Sequence, residues 1–135
     1  MALSKPTPSR KSPSRILIVD DDQNVSDAYK EEFEKIDYQI TVAKDGEDGL
    51  KKTQTVKPNL IILDLMMPKI DGPHFLEKLR AGKNTFSIPV MIVSHLESDL
   101  ELRKCRELGI ECYLIKHKTP VKKIIDTARS ILEHR

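Results

Sequence analysis

Ile16-Leu17-Ile18-Val19-Asp20-Asp21-Asp22 decides how this chain folds. Four consecutive branched apolar side chains leave no polar face for solvent, and three carboxylates follow without a spacer. A strand with one wet face would alternate, and an amphipathic helix would repeat every three or four residues. An unbroken run fits a strand covered on both sides. The same pattern returns three times. Leu60-Ile61-Ile62-Leu63 stops at Asp64, Val90-Met91-Ile92-Val93 at Ser94, and Cys112-Tyr113-Leu114-Ile115 at Lys116.

Helical spacing fills the intervals. Between 23 and 35, Val25, Ala28, Tyr29, Glu32 and Phe33, with Ile36 beyond, are spaced as on a helix, whereas 38–43 alternate like a strand nearer the sheet edge. Asp45 with Asp48 three positions on makes a box-like helix start, and that helix ends before Pro58. A loop over 65–73, containing Pro68 and Gly72, leads into a helix through Phe75, Leu76 and Leu79 that Gly82 terminates. Pro89 opens the next strand. A helix is expected from about 97 to 108, stopping at Gly109. Thr119 as cap and Pro120 at the first helical position then start a last helix running almost to Arg135. Five strands alternating with five helices require a mostly parallel sheet covered on both faces, with right-handed crossovers.

A length of 135 residues suits one domain with a real core. Aromatic residues are only 4% and Trp is absent, so Ile, Leu and Val must supply that core. The formal charge is +2, yet Lys5, Arg10 and Lys11 lie in a Ser/Pro-rich start without a single acid, leaving the remainder near neutral. Residues 1–14 therefore read as a disordered basic tail and 15–135 as the folded domain. Outside the tail no basic face concentrates as nucleic-acid binding demands. No apolar run approaches the roughly 20 residues of a membrane span, and the start lacks the apolar core of a secretory signal. Cys105 and Cys112 have no metal-ligand spacing and read as reduced thiols, so the expected compartment is the cytoplasm.

Chemistry belongs beyond the carboxyl ends of the strands, near the point where strand order reverses. Four runs end there in a reactive or charged side chain, namely Asp20 with Asp21 and Asp22, then Asp64, Ser94 and Lys116. With strand order 2-1-3-4-5 the first and third strands are neighbours, and their aspartates share one pocket. Crowded carboxylates raise each other's proton affinity, so the set makes sense with a divalent cation, and oxygen ligands point to Mg²⁺ or Mn²⁺. An aspartate can act as nucleophile and form an aspartyl-phosphate. The transferred group needs donors on its equatorial oxygens; the cation, Lys116 and the Ser94 hydroxyl supply three. Asp22 reads as surface or the first helix's cap, and Asp71 as a turn or cap residue before Gly72. Both stay outside the site.

On these four stretches, together with Leu65-Met66-Met67-Pro68-Lys69-Ile70-Asp71-Gly72 after Asp64, the chain resembles a response-regulator receiver domain from about residue 15 to 133. The resemblance implies a doubly wound, flavodoxin-like (βα)5 sandwich with a five-stranded parallel sheet. It implies Asp64 as the phosphorylated residue, Asp20, Asp21, Asp64 and the Met66 carbonyl around Mg²⁺, and Ser94 and Lys116 as the hydroxyl and lysine of the transfer site. It further implies Ser94 and Tyr113 as a switch pair. Phosphate draws in the hydroxyl, and the ring enters the vacated space; the alternative for Tyr113 is an exposed strand aromatic. The implied donor is a partner kinase's phosphohistidine or a phosphotransfer protein. The implied output is a protein-binding surface, on a monomer or a phosphorylation-dependent dimer. With nothing after the fifth helix to carry output, a stand-alone domain is expected, signalling to a separate target protein and not itself an enzyme on external substrates.

His117 departs from the family, which usually has proline after the lysine, often in a cis bond. A non-proline cis bond costs about 2.5–4 kcal/mol, so the bond is trans or the fold bears that cost, and a trans bond would aim Lys116 differently. His95 and Met66 are large for their places, and shielding of the acylphosphate is expected of them; the rival fate of His95 is simple exposure. The competing enzyme reading is a haloacid-dehalogenase-type phosphohydrolase with Asp20 as nucleophile and Asp22 as acid. It leaves Asp64 without a role and the chain without room for a substrate cap. A degenerate receiver used only for docking is a third reading, which the intact acidic set opposes. A dinucleotide site would need a Gly-rich loop where Asp20-Asp21-Asp22-Gln23-Asn24 stands.

Overall fold

The computed structural model describes residues 13–134; all but the last two residues of the expected basic tail lie outside that range. The chain alternates β1 (Arg15–Val19), α1 (Gln23–Glu34), β2 (Gln39–Ala43), α2 (Gly46–Val56), β3 (Leu60–Leu63), α3 (Gly72–Ala81), β4 (Val90–Ser94), α4 (Asp99–Leu108), β5 (Cys112–Ile115) and α5 (Val121–Glu133). The five strands form one parallel sheet in the order 2-1-3-4-5. Val19 pairs with Leu63 and Ser94 with Ile115, so the residues after those strands start from one edge of the sheet.

Strand alternation sorts the apolar runs into two cores. Leu17, Val19, Ile61, Leu63, Val90 and Ile92 face Phe75, Leu76 and Leu79 of α3 and Cys105 of α4. Ile16, Ile18, Leu60, Ile62, Met91 and Val93 face Tyr29 and Phe33 of α1 and Ile124, Ile125 and Ala128 of α5. Every residue of the three inner runs is buried, which is why they carry no polar position. β2 and β5 lie at the edges and are only partly covered. Burying a Leu, Ile or Val contributes about 1.5–3 kcal/mol each against chain entropy.

Aspartates set the helix starts. Asp22, Asp45 and Asp71 accept bonds from the first free N–H groups of α1, α2 and α3, and the Asp48 carboxylate answers at Lys44 N. Two starts differ from expectation. α4 begins at Asp99, because the Ser98 hydroxyl rather than residue 97 accepts from Glu101 N. Pro120 is itself the cap of α5, while the Thr119 hydroxyl donates to Ile115 O at 2.7 Å across the short 3₁₀ turn Lys116–Lys118. At the other ends Gly109 leaves α4 with φ 99°, a backbone that glycine adopts without a Cβ penalty. Gly82 keeps an ordinary φ, and its lack of a side chain instead admits the Thr85 hydroxyl, which bonds Leu79 O.

Two arginines tie loops that the periodicity left open. Arg15 donates to the Val56 and Lys57 carbonyls at the end of α2. Arg80 donates to the carbonyls of Leu108, Phe86, Ile88 and Gly109, joining α3, the loop before β4 and the end of α4. No helix among the described residues is long and apolar enough to cross a membrane.

Candidate functional site

The pocket forms where β1 and β3 end side by side. Asp20 and Asp64 are 4% and 6% exposed, and Asp21 projects to solvent. One oxygen from each of the three carboxylates lies within 4.8 Å of the others, so Asp20, Asp21 and Asp64 are brought together as a potential oxygen-ligand set. Backbone pairing fixes the two buried members. Asp20 N donates to Ala43 O and Asp64 N to Val19 O, both at 3.0 Å.

Lys116 reaches back over the ends of β4 and β3. Its Nζ lies 2.7 Å from Asp20 Oδ2 and 3.3 Å from Asp64 Oδ2. The peptide bonds among the described residues are all trans, the Lys116–His117 bond included. The expected misdirection of the ammonium does not occur, because the 3₁₀ turn bends the chain back at Lys116 without a cis bond. Ser94 Oγ is fully buried and donates to Asp64 Oδ1 at 2.8 Å, while Leu96 N donates back to Ser94 Oγ. Met66 N donates to the same Asp64 oxygen at 3.2 Å, and the Met66 side chain is 56% exposed.

Electrostatics follow from burial. Burial raises the Asp20 carboxyl above its ordinary value, and the Lys116 bond, the Asp22 N–H at 2.9 Å and the Lys116 charge offset only part of that rise. For Lys116, burial alone would push the ammonium down. The Asp20 bond and the charges of Asp64 and Asp20 together outweigh it, so its proton is held more tightly than usual. One ammonium set against three carboxylates leaves a surplus of negative charge. Hard oxygens with one solvent-facing member suit a divalent ion that keeps part of its water shell, as Mg²⁺ does.

Tyr113 is not an exposed strand aromatic. Its ring packs against the α3/α4-side core and its hydroxyl donates to Leu96 O at 2.7 Å. Burial first, then nearby negative groups, push the phenol up to about 12. Ser94 is on Asp64 and Tyr113 is on the backbone two residues further along. Asp22 and Asp71 are helix caps, outside the pocket. Of the two fates expected for His95, exposure is the one seen. Its ring is turned to His117, with the two Nδ1 atoms 2.8 Å apart. Nothing in the local sequence announces that pairing, since the residues are 22 apart, nor the Leu96 carbonyl, since every residue carries one.

A doubly wound parallel sheet with carboxylates from two adjacent strands, a lysine and a hydroxyl around one buried aspartate defines a class of domain whose chemistry sits beyond the carboxyl ends of its strands. The chain belongs to the response regulator receiver domain family, whose model matches residues 16–128. Receiver domains of this kind serve two-component signalling.

Among relatives, the chain is 35% identical over 106 residues to the alkaline phosphatase synthesis transcriptional regulatory protein PhoP of Bacillus subtilis, covering 78% of this chain and 43% of that one. Among solved structures it is similar to a CheY-like receiver domain from Methanospirillum hungatei (TM-score 0.84, 25% identity, 91% of this chain and 96% of that one). It is also similar to the receiver domain of the Francisella response regulator 1452 (TM-score 0.80, 30% identity, 90% and 98%). The chain spans less than half the length of the curated relatives it matches, several of them transcriptional regulators by name.

Proposed function

We propose that Asp64 accepts a phosphoryl group from the phosphohistidine of a partner kinase or phosphotransfer protein. The observation that carries this is the convergence on one buried carboxylate of an ammonium, a hydroxyl and a backbone N–H. An Asp64 oxygen attacks phosphorus as the donor's N–P bond breaks, and the imidazole leaves with the bonding pair. Lys116 and Ser94 are aimed where negative charge gathers on the transferred group, an arrangement that lowers the barrier by electrostatic preorganisation. A Mg²⁺ or Mn²⁺ ion held by Asp20, Asp21, Asp64 and the Met66 carbonyl would neutralise the remaining oxygen and the acidic pair. Asp20 stays bound to Lys116 and to Asp22 N, which suits a positioning carboxylate rather than the nucleophile of a hydrolase.

Phosphorylation then stabilises Ser94 on the phosphoryl group and Tyr113 on Leu96 O, and so the surface built by α4, β5 and α5. A local charge change biasing a bistable element accounts for the output. The domain modifies itself and hands its signal to a protein target, as a monomer or a phosphorylation-dependent dimer. Incubation with Mg²⁺ and acetyl phosphate followed by intact-mass measurement tests this reading. One added phosphate in the wild type and none in Asp64→Asn is expected. Label on Asp20 would refute it in favour of the hydrolase, and no label at all would leave a docking module.

A further inference from the structure

We propose that His95 and His117 form a second metal site, separate from the acidic pocket and selective for imidazole-preferring divalent ions such as Zn²⁺, Ni²⁺ or Cu²⁺. His95 directly follows Ser94 at the end of β4, and His117 directly follows Lys116 after β5. The rings meet edge to edge, their centroids 5.0 Å apart and planes 23° from parallel, with the Nδ1 atoms facing each other at 2.8 Å. Both side chains are exposed, which leaves solvent access for the remaining coordination positions.

The spacing of the two nitrogens fits a shared ion once the exposed rings rotate toward it. Metal–imidazole bonds of about 2.0–2.1 Å place two ligand nitrogens about 2.9 Å apart at a right-angled N–metal–N angle and about 3.4 Å at a tetrahedral one. The nitrogens have to part by about half an ångström, and each ring has to turn by about 35–45° so that its lone pair points at the ion instead of at the other nitrogen. In the metal-free pair one ring carries its hydrogen at Nδ1 and the other accepts there. With metal between them, both carry their remaining hydrogen on Nε2.

For His117 that nitrogen already faces a partner. Glu97 Oε2 lies 3.5 Å from His117 Nε2, and Lys118 Nζ holds the other carboxylate oxygen at 2.7 Å. A carboxylate on the far nitrogen of a ligating histidine fixes its tautomer and raises its basicity, the usual outer-shell arrangement of such sites. Imidazole donors favour Zn²⁺, Ni²⁺ and Cu²⁺, whereas the three aspartates favour Mg²⁺. One small domain thus offers two sites of different ligand softness, a few residues apart on the same loops.

Calorimetric titration with Zn²⁺ under excess Mg²⁺, which keeps the acidic pocket occupied, tests the site, with the histidine side-chain NMR resonances followed in parallel. One equivalent is expected to bind, shifting the His95 and His117 resonances and sparing those of His74 and His134. His95→Ala and His117→Ala should each abolish the uptake, and Glu97→Gln should weaken it about tenfold. Asp20→Asn should retain it. Because both histidines are exposed, the alanine variants should melt within a few degrees of the wild type. Zn²⁺ uptake unchanged in both histidine variants, its loss in Asp20→Asn, or histidine resonances that do not move would each overturn the assignment.

Discussion

Replacing Lys116 with Met removes an ammonium and keeps a side chain of similar length. Asp20 and Asp64 then remain buried on the same side of the sheet with their shared cation gone. Breaking a buried ion pair by removing one partner costs about 3–5 kcal/mol, because a charge is left uncompensated. Asp21 is exposed and gives water one route in, so the lower end applies, about 3 kcal/mol. For a domain of this size that is a fall in melting midpoint of roughly 12 °C. The assay is thermal unfolding followed by circular dichroism at neutral pH in EDTA.

Two dependences follow for that variant. Added Mg²⁺ should narrow the gap to wild type by supplying the missing positive charge. Acid should narrow it too. The folded Asp20 carboxyl already sits above its ordinary 3.8. A carboxyl raised in this way binds protons more readily folded than unfolded, so its contribution to stability rises as pH falls through the folded value and is complete below 3.8. Without Lys116 the folded value rises further, and the mutant-minus-wild-type difference should shrink from neutral pH downward. A midpoint within about 2 °C of wild type in EDTA, or a gap that widens in acid, would refute the claim that Lys116 compensates buried charge.

Ser94→Ala should slow phosphoryl acceptance from acetyl phosphate by roughly 10- to 100-fold, the equivalent of one hydrogen bond to a charged group at about 1.5–3 kcal/mol; time-resolved intact mass would show it. Tyr113→Phe loses only the bond to Leu96 O and should cost about 1 kcal/mol of stability in urea unfolding, while Asp64 still phosphorylates within twofold of the wild-type rate. Arg80→Ala strips donors from four backbone carbonyls and should cost about 2–4 kcal/mol, with faster amide exchange at the end of α4 and in the loop before β4.

How much of this was legible beforehand depends on whether the signal is local. The three inner strands were readable because a strand covered on both faces tolerates no polar residue, and Ile16 to Val19, Leu60 to Leu63 and Val90 to Val93 contain none. Capping aspartates were readable in part. Asp45 and Asp48 announced a helix start, but Ser98 won over residue 97, and Thr119 spent its hydroxyl on Ile115 O, choices that depend on how the turn before each helix closes. Proline at position 117 would have signalled a turn outright; with His117 the turn had to be found in three dimensions.

By itself the order of residues determined that aspartate, aspartate, serine and lysine stand at the ends of strands in a parallel α/β sheet, since hydrophobic runs and their stop signals are properties of neighbours along the chain. Only the folded arrangement decided that Lys116 holds Asp20 and Asp64 together across 96 and 52 residues, that Tyr113 bonds Leu96 O, and that His95 meets His117. Those contacts depend on strand order, on where a long side chain can reach, and on backbone carbonyls that look alike at every position. No local pattern encodes them.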